Sequence, residues 1–222
     1  ATTTTIRSFN SSVSLAGYAN GYLTASNYTA NLESAGILIY SDANLIRGYT
    51  NVSLTGIDMR GIGIYLAVFS TGSNGIVADT GSVNIQSINN NSNWYSTYLR
   101  QSVTATAGSV TISAAGQFGL AIDNAQGVIT AAGNVNINAY TSLYTAFYLN
   151  SGVNSIQSSG GSIIISATDA GSNTDNYAVN QGSSSSITAN QNIIFQGASL
   201  AAPTPGSLTS AAGAVSPVFA SA

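Results

Sequence analysis

The sequence predicts an all-β protein wound as a single parallel β-helix, a solenoid of about six three-stranded coils followed by an extended carboxy-terminal tail. A short motif, apolar-x-apolar after Ser, Asn or Gly, recurs along the chain, and periods of roughly 20–50 residues are typical of stacked repeats. Apolar and polar residues alternate with a period of two, and no window keeps the 3.6-residue period of a long helix.

The recurring motif places two apolar residues on one side of a strand and the residue between them on the other side. Its copies begin 39, 31, 27, 25, 28 and 30 residues apart. A single period cannot bury its apolar side, so the periods must stack and form continuous apolar columns. The copies are Val13-Ser14-Leu15, Val52-Ser53-Leu54, Val83-Asn84-Ile85, Val110-Thr111-Ile112, Val135-Asn136-Ile137, Ile163-Ile164-Ile165 and Ile193-Ile194-Phe195.

Two further strands are predicted in each coil. One contains an apolar residue about seven positions before the motif and a small residue two positions later: Ile6/Ser8, Ile76/Ala78, Val103/Ala105, Val128/Thr130, Ile156/Ser158 and, at six positions, Ile187/Ala189. In the second coil Leu45 takes the apolar position, and Arg47 falls where a small residue is expected. The third, looser strand is predicted at Tyr65 to Phe69, Thr97 to Leu99, Leu120 to Ile122, Ala146 to Leu149 and Tyr177 to Val179.

The alternative fold is an antiparallel β-sandwich, which also has short strands at regular spacing. It requires hairpins, and two-residue hairpin signals are confined to Asn20-Gly21 and Asn74-Gly75. The ordered repetition of three strands favours the β-helix.

The chain divides into a parallel β-helix at residues 1–196 and an extended Ala/Ser/Pro-rich tail at residues 197–222. The tail is too irregular to add a full coil, and its prolines favour an extended backbone. We expect it to bridge into or along the next subunit; the alternative is that it folds back and caps its own last coil. Its candidate assembly residues are Leu208, Val215, Val218 and Phe219.

Composition excludes several classes of function. Charged residues make up 5% of the chain, the net charge is -3, and Lys, His and Cys are absent. Triads that rely on His, Cys or Lys are therefore impossible, and we predict no enzyme activity, no cofactor and no metal site. We also expect no binding to nucleic acid. The longest apolar stretch, Gly63 to Phe69, is far shorter than the ~18 residues of a membrane span, so we expect no membrane insertion.

Aromatic residues gather around the third strand and the turn before it. Because stacked repeats align equivalent positions, we predict a contact face for sugar rings or a neighbouring subunit, to which Tyr and Trp offer large rigid surfaces. The alternative is ordinary strand composition with partial filling of the core. The candidate contact face consists of Trp94, Tyr95, Tyr98, Tyr144 and Tyr148.

The segments Gly81 to Ser87, Gly108 to Ala114 and Gly133 to Ala139 share the pattern Gly-(Ser/Asn)-Val-x-Ile. This pattern resembles the repeats of filamentous haemagglutinin-like exoproteins, which are bacterial surface adhesins, over roughly residues 50–196. The resemblance implies an extracellular β-helix at a bacterial surface and assigns no functional residues.

Two functions remain. The first is a structural subunit of an extracellular bacterial filament or matrix, a homopolymer formed by end-to-end stacking of β-helices. It is favoured by the low charge and by the exposed sheet edges at both ends of any β-helix. The alternative is an adhesin module that binds a glycan or host surface through the aromatic face.

Overall fold

The chain forms a parallel β-solenoid with three sheets in the computed structural model, which describes residues 3–19, 35–40, 43–59, 61–67, 75–89, 95–122, 127–143, 145–149, 155–170, 178–182, 184–197 and 207–219. Sheet A contains β1, β4, β7, β10, β13, β16, β19 and β21; sheet B contains β2, β5, β8, β11, β14, β17, β20 and β22; and sheet C contains β3, β6, β9, β12, β15 and β18. Neighbouring strands within each sheet pair in parallel. The predicted fold class is confirmed, and among the described residues six coils contribute a strand to all three sheets.

The strand bounds follow the order of the chain. They are β1 Thr3–Arg7, β2 Val13–Ala19, β3 Ala35–Tyr40, β4 Ala43–Gly48, β5 Val52–Asp58, β6 Ile62–Ala67, β7 Gly75–Ala78, β8 Val83–Asn89, β9 Tyr95–Leu99, β10 Ser102–Ala105, β11 Val110–Gly116, β12 Phe118–Ile122, β13 Val128–Ala131, β14 Val135–Thr141, β15 Phe147–Leu149, β16 Ser155–Ser158, β17 Ile163–Asp169, β18 Val179–Gln181, β19 Ser186–Ala189, β20 Ile193–Gly197, β21 Ser207–Ser210 and β22 Val215–Phe219.

Sheet B carries the recurring motif, and its inward residues form the predicted columns. Val110 is in register with Val83 and Val135, and Ile112 is in register with Ile85 and Ile137. All six side chains are buried in one hydrophobic cluster. The residues between them face outward, because successive side chains of a strand point to opposite faces.

Two predicted registers in sheet A are wrong by one residue. Ile46, not Leu45, pairs with Ile76, and Gly48 then takes the small position. Ile129, not Val128, pairs with Val103, and Ala131 replaces Thr130 as the small residue. In both coils the apolar residue lies six positions before the sheet B motif instead of seven, because the turn between the sheets is one residue shorter.

Sheet C approaches sheet B closely where the chain turns from one sheet to the other. A Cβ atom on Gly56 would lie 2.1 Å from the carbonyl oxygen of Gly63, so only glycine fits this position of β5. Equivalent inward positions of later coils hold Ser87, Ala114 and Ala139. The sheets can therefore meet there only because these residues are small.

A ladder of side-chain hydrogen bonds, the turn ladder, ties successive coils together at the turn from sheet A to sheet B. In each coil the residue before the first motif residue donates its backbone N–H to a side-chain oxygen of the equivalent residue one coil earlier. The bonds run from Asn51 to Ser12 (3.4 Å), Ser82 to Asn51 (2.8 Å), Ser109 to Ser82 (3.1 Å), Asn134 to Ser109 (3.0 Å), Ser162 to Asn134 (2.8 Å), Asn192 to Ser162 (3.2 Å) and Ala214 to Asn192 (3.0 Å).

The turn ladder also explains the glycine that precedes Ser or Asn in several repeats. A Cβ atom on Gly161 would lie 2.3 Å from Oδ1 of Asn134, and one on Gly133 would lie 2.6 Å from Oγ of Ser109. The ladder oxygen of one coil therefore occupies the space that a side chain would need in the next. The Gly-(Ser/Asn)-Val pattern follows from this geometry.

The tail supplies two strands of an eighth coil. β21 pairs with β19 and β22 with β20, both in parallel, so this part of the tail folds onto the last coil of its own chain. That pairing favours the capping alternative over a tail that leaves its own solenoid to bridge into another. Leu208 packs against the core, Val215 is 39% exposed, and Val218 and Phe219 belong to β22.

Replacing Ile112 with Asp should prevent folding, whereas Thr111→Asp should be tolerated. Ile112 is buried and its burial contributes about 1.5–3 kcal/mol, and an unpaired carboxylate at the same place adds a desolvation cost. Thr111 lies on the outer side of β11. Urea unfolding followed by circular dichroism distinguishes the variants, and equal stability of the two would contradict the register of sheet B.

Candidate interaction surfaces

The described residues include three carboxylates, those of Asp58, Asp79 and Asp169. Within the described ranges there is no group of three or more acidic side chains that is able to hold a metal ion. Asp58 and Asp169 are buried at the carboxy-terminal ends of β5 and β17. Oδ1 of Asp58 accepts a 2.9 Å hydrogen bond from the N–H of Gly61. That bond fixes the turn that leads into β6.

An aromatic cluster of Tyr65, Tyr95, Tyr98, Phe118 and Tyr148 covers the outer side of sheet C. Tyr65 and Tyr98 are register partners on β6 and β9, and their rings stack with centroids 5.3 Å apart and an interplanar angle of 4°. They alternate with inward residues such as Leu66 and Leu99, which lie in the main core. Offset-stacked rings at this distance stabilise each other beyond their burial.

Tyr95 makes the cluster continuous across a gap in the column. The next register position after Tyr98 is Ala121, which leaves no ring before Tyr148. The Tyr95 ring lies 6.0 Å from that of Tyr98 and 6.3 Å from that of Tyr148. It also meets the edge of Phe118 at 5.3 Å. One tyrosine from a neighbouring position therefore fills the space above the small residue.

The structure brings together three residues of the candidate contact face, Tyr95, Tyr98 and Tyr148, and leaves them half-buried. Trp94 and Tyr144 lie outside the described residues. The prediction omitted Tyr65 and Phe118. The sequence could have identified both residues. Tyr65 precedes the inward Leu66 as Tyr98 precedes the inward Leu99, and Phe118 lies two residues before Leu120 as Tyr95 lies two residues before Thr97. A role of this face in binding stays a prediction.

A second surface is a shallow groove of about 380 Å³ on the outer side of sheet B. The groove exists because the small side chain of Ala115 lies in register between the larger side chains of Ile88 and Tyr140. Gln86, Ser113, Asn138 and Ser166 form a row of amides and hydroxyls beside it, one per coil. None of the lining residues carries a charge, so the groove is suited to an uncharged polar ligand.

Charges near the amino-terminal end are paired or covered. Arg7 and Arg47 are register partners on β1 and β4, which places like charges on neighbouring strands. Nη2 of Arg47 lies 2.7 Å from Oδ1 of Asp79, and the hydrogen bond and charge of Asp79 raise the pKa of the Arg47 guanidinium. The guanidinium of Arg7 lies 4.3 Å from the ring centroid of Phe9. The Arg47–Asp79 pair thus links the second and third coils.

The third surface consists of the strand edges at the two ends of the solenoid. β1 and β21 are the outermost strands of sheet A among the described residues, and β2 and β22 are those of sheet B. Ser8 directly follows β1, and its N–H donates to the carbonyl of Arg47 at 2.9 Å. Because successive residues of a strand direct their N–H groups to opposite edges, the N–H groups of Thr5 and Arg7 point to the open end.

No protein-family model, curated protein or solved structure matches the chain. The likeness to filamentous haemagglutinin-like repeats therefore rests on the Gly-(Ser/Asn)-Val-x-Ile motif alone. Among the residues that the structure describes, no helix is long and apolar enough to cross a bilayer.

Tyr95→Ala should lower the free energy of unfolding by about 1–3 kcal/mol, because the substitution removes a half-buried ring and its three aromatic contacts. Tyr140→Ala is the matched control: this ring is 45% exposed and lies outside the aromatic cluster, so the change should stay within about 0.5 kcal/mol. Urea unfolding of both variants measures the difference. Equal losses would mean that the aromatic cluster does not stabilise sheet C.

Proposed function

We propose that the protein is a structural subunit of an extracellular bacterial filament or matrix, in which β-helices stack head to tail. The supporting observation is that the turn from sheet A to sheet B has the same form in the two end coils. Ile6 precedes Val13 by seven residues, and Leu208 precedes Val215 by seven. Both turns carry the same bond, from Ser11 N–H to Ser8 Oγ (3.1 Å) and from Gly213 N–H to Ser210 Oγ (3.0 Å).

A second copy fits the carboxy-terminal end as one more coil. Leu208 ends the inward column of sheet A to which Ile187 and Ile156 belong, and Ile6 begins the same column at the other end. Placing β1 of one subunit beside β21 of another aligns Ile6 with Leu208 and continues both the column and the backbone ladder. A parallel neighbour at about 4.8 Å is the geometry already used by every coil.

The chemistry of such a junction suits conditions outside the cell. Backbone hydrogen bonds and apolar contacts depend little on ionic strength, unlike contacts between exposed charges. With 5% charged residues and no cysteine, the junction would be held by the pairing of stacked coils and not by disulfides or a dense set of ion pairs. We therefore expect the assembly to persist at high salt and under reducing conditions.

Thr5→Pro should abolish head-to-tail assembly without unfolding the subunit. The N–H of Thr5 points to the open amino-terminal edge, so a proline there costs no bond within the chain but removes a donor and places a ring carbon in the junction. Negative-stain microscopy and sedimentation over a range of concentrations measure assembly, and circular dichroism checks the fold.

Thr5→Ala is the control, since it keeps the N–H and should assemble like the natural sequence. Filaments of unchanged length from Thr5→Pro would contradict this junction. A natural chain that stays monodisperse at every concentration would contradict the filament proposal as a whole.

The second candidate function is an adhesin module that binds a glycan, and the groove on sheet B favours it. Sugar hydroxyls pair with amides and hydroxyls such as those of Gln86, Asn138 and Ser113, and the exposed ring of Tyr140 offers a face for stacking. Because the groove runs across successive coils and lacks charge, the ligand it fits is a neutral polysaccharide lying along the solenoid axis.

Tyr140→Ala should weaken binding to a neutral polysaccharide by about tenfold, the loss expected for one stacking platform. Tyr49→Ala is the matched control, because Tyr49 is equally exposed, at 45%, and lies in the turn between β4 and β5 outside the groove. Affinity electrophoresis in gels containing a neutral or an anionic polysaccharide provides the comparison. Equal retardation of the two variants would exclude the groove as the binding site.

A further inference from the structure

We propose that Pro217 closes the carboxy-terminal edge of sheet B to strand addition, so that subunits join through sheet A and not through sheet B, which limits head-to-tail growth. The partner in question is a second copy of this chain. The inference rests on the head-to-tail assembly proposed above and concerns which part of the end surface makes the contact.

The direction of the backbone hydrogen bonds in sheet B identifies the groups at its last edge. The first motif residue of each strand donates its N–H to the following coil, from Val13 to the carbonyl of Asn51 (2.9 Å) through to Ile193 and the carbonyl of Ala214 (3.0 Å). Val215 and Pro217 are the register partners of Ile193 and Phe195. The backbone nitrogens of Val215 and Pro217 therefore point to the open edge of sheet B, where the strand of a following coil would pair.

Proline at position 217 cannot take part in that bonding. Proline has no N–H, and its ring carbon on nitrogen occupies the place of the missing hydrogen. In earlier coils this column position holds Leu, Ile or Phe, each of which can donate to its neighbour: Leu15, Leu54, Ile85, Ile112, Ile137, Ile165 and Phe195. Proline is confined to edge strands and protects them from further pairing.

The turn ladder also stops in the last coil. Ala214 donates its N–H to Oδ1 of Asn192 at 3.0 Å, as its equivalents do in earlier coils. Alanine has no side-chain oxygen, however, so it offers no acceptor to Ser12 of a following subunit. Two separate bonding systems of sheet B, the backbone ladder and the turn ladder, are thus interrupted at residues three positions apart.

Sheet A remains open. The N–H of Ala211 donates back to the carbonyl of Ala189 at 3.0 Å, so the N–H of Leu208, three positions earlier, points to the free edge. The four residues of β21 include no proline. Sheet A therefore keeps a complete edge for a second copy.

Pro217→Ala in the full chain tests the proposal. The substitution restores an N–H and removes the ring, so the protein concentration at which half of the chains sediment as filaments should fall at least about fivefold, as expected for a gained hydrogen bond. Ser216→Ala is the control: its N–H points back to β20, and its assembly should match that of the natural sequence. If Pro217→Ala lowers the urea midpoint, Pro217→Val, which favours strands, replaces it.

Moving the proline by two residues checks the mechanism. Val215 directs its N–H to the same edge, so the double variant Val215→Pro/Pro217→Ala should return to the assembly concentration of the natural sequence. The inference is overturned if the natural chain and Pro217→Ala form filaments at the same concentration, or if the double variant assembles like Pro217→Ala. Failure of the natural chain to assemble at any concentration would instead overturn the head-to-tail proposal.

Discussion

The hydrogen bond from a backbone N–H to the side-chain oxygen one coil earlier fixes the register on which the rest of the solenoid depends. A slip of one residue in any strand would turn its inward side chains to solvent, and the turn ladder prevents this just before each sheet B strand begins. Asn134 illustrates the arrangement, since it donates its N–H to Ser109 and accepts from Ser162. The alignment of the successive coils at these turns also aligns the side chains of the apolar columns, the outer groove and the aromatic cluster.

The accuracy of the sequence-based prediction differs among the three sheets, and each difference has a physical reason. Sheet B was predicted residue by residue, because its strands are long and alternate strictly. The prediction for sheet A was wrong by one residue at Leu45 and Val128. The turn from sheet A to sheet B differs in length by one residue between coils, and a constant spacing of seven residues does not account for that difference. Sheet C breaks the alternation where small residues such as Gly63 and Ser96 allow close approach to sheet B. The ring of Tyr95 therefore points outward with Tyr98, three residues on, and a period-two pattern does not identify their contact.

The sides and ends of the molecule differ in what they offer to partners. Along the sides, successive coils of sheet B present polar side chains at the same outer positions, as at Gln86, Ser113 and Asn138, so a ligand meets a periodic surface. At the ends, the amino-terminal coil has strands in all three sheets, whereas the last two coils contribute only to sheets A and B within the described residues. An assembly of such subunits would be polar, with two ends that differ in bonding capacity.

The parallel stacking of the coils has a mechanical consequence. The strands lie across the solenoid axis, so a force that pulls the two termini apart along this axis opens the bonds between neighbouring coils one coil at a time. Each coil contacts mainly its neighbours, and the coil from Val83 to Val110 holds 27 residues, which extend to about 90 Å at roughly 3.4 Å per residue. Under tension the molecule would lengthen in steps of that order, absorbing work at each step while the remaining coils stay folded.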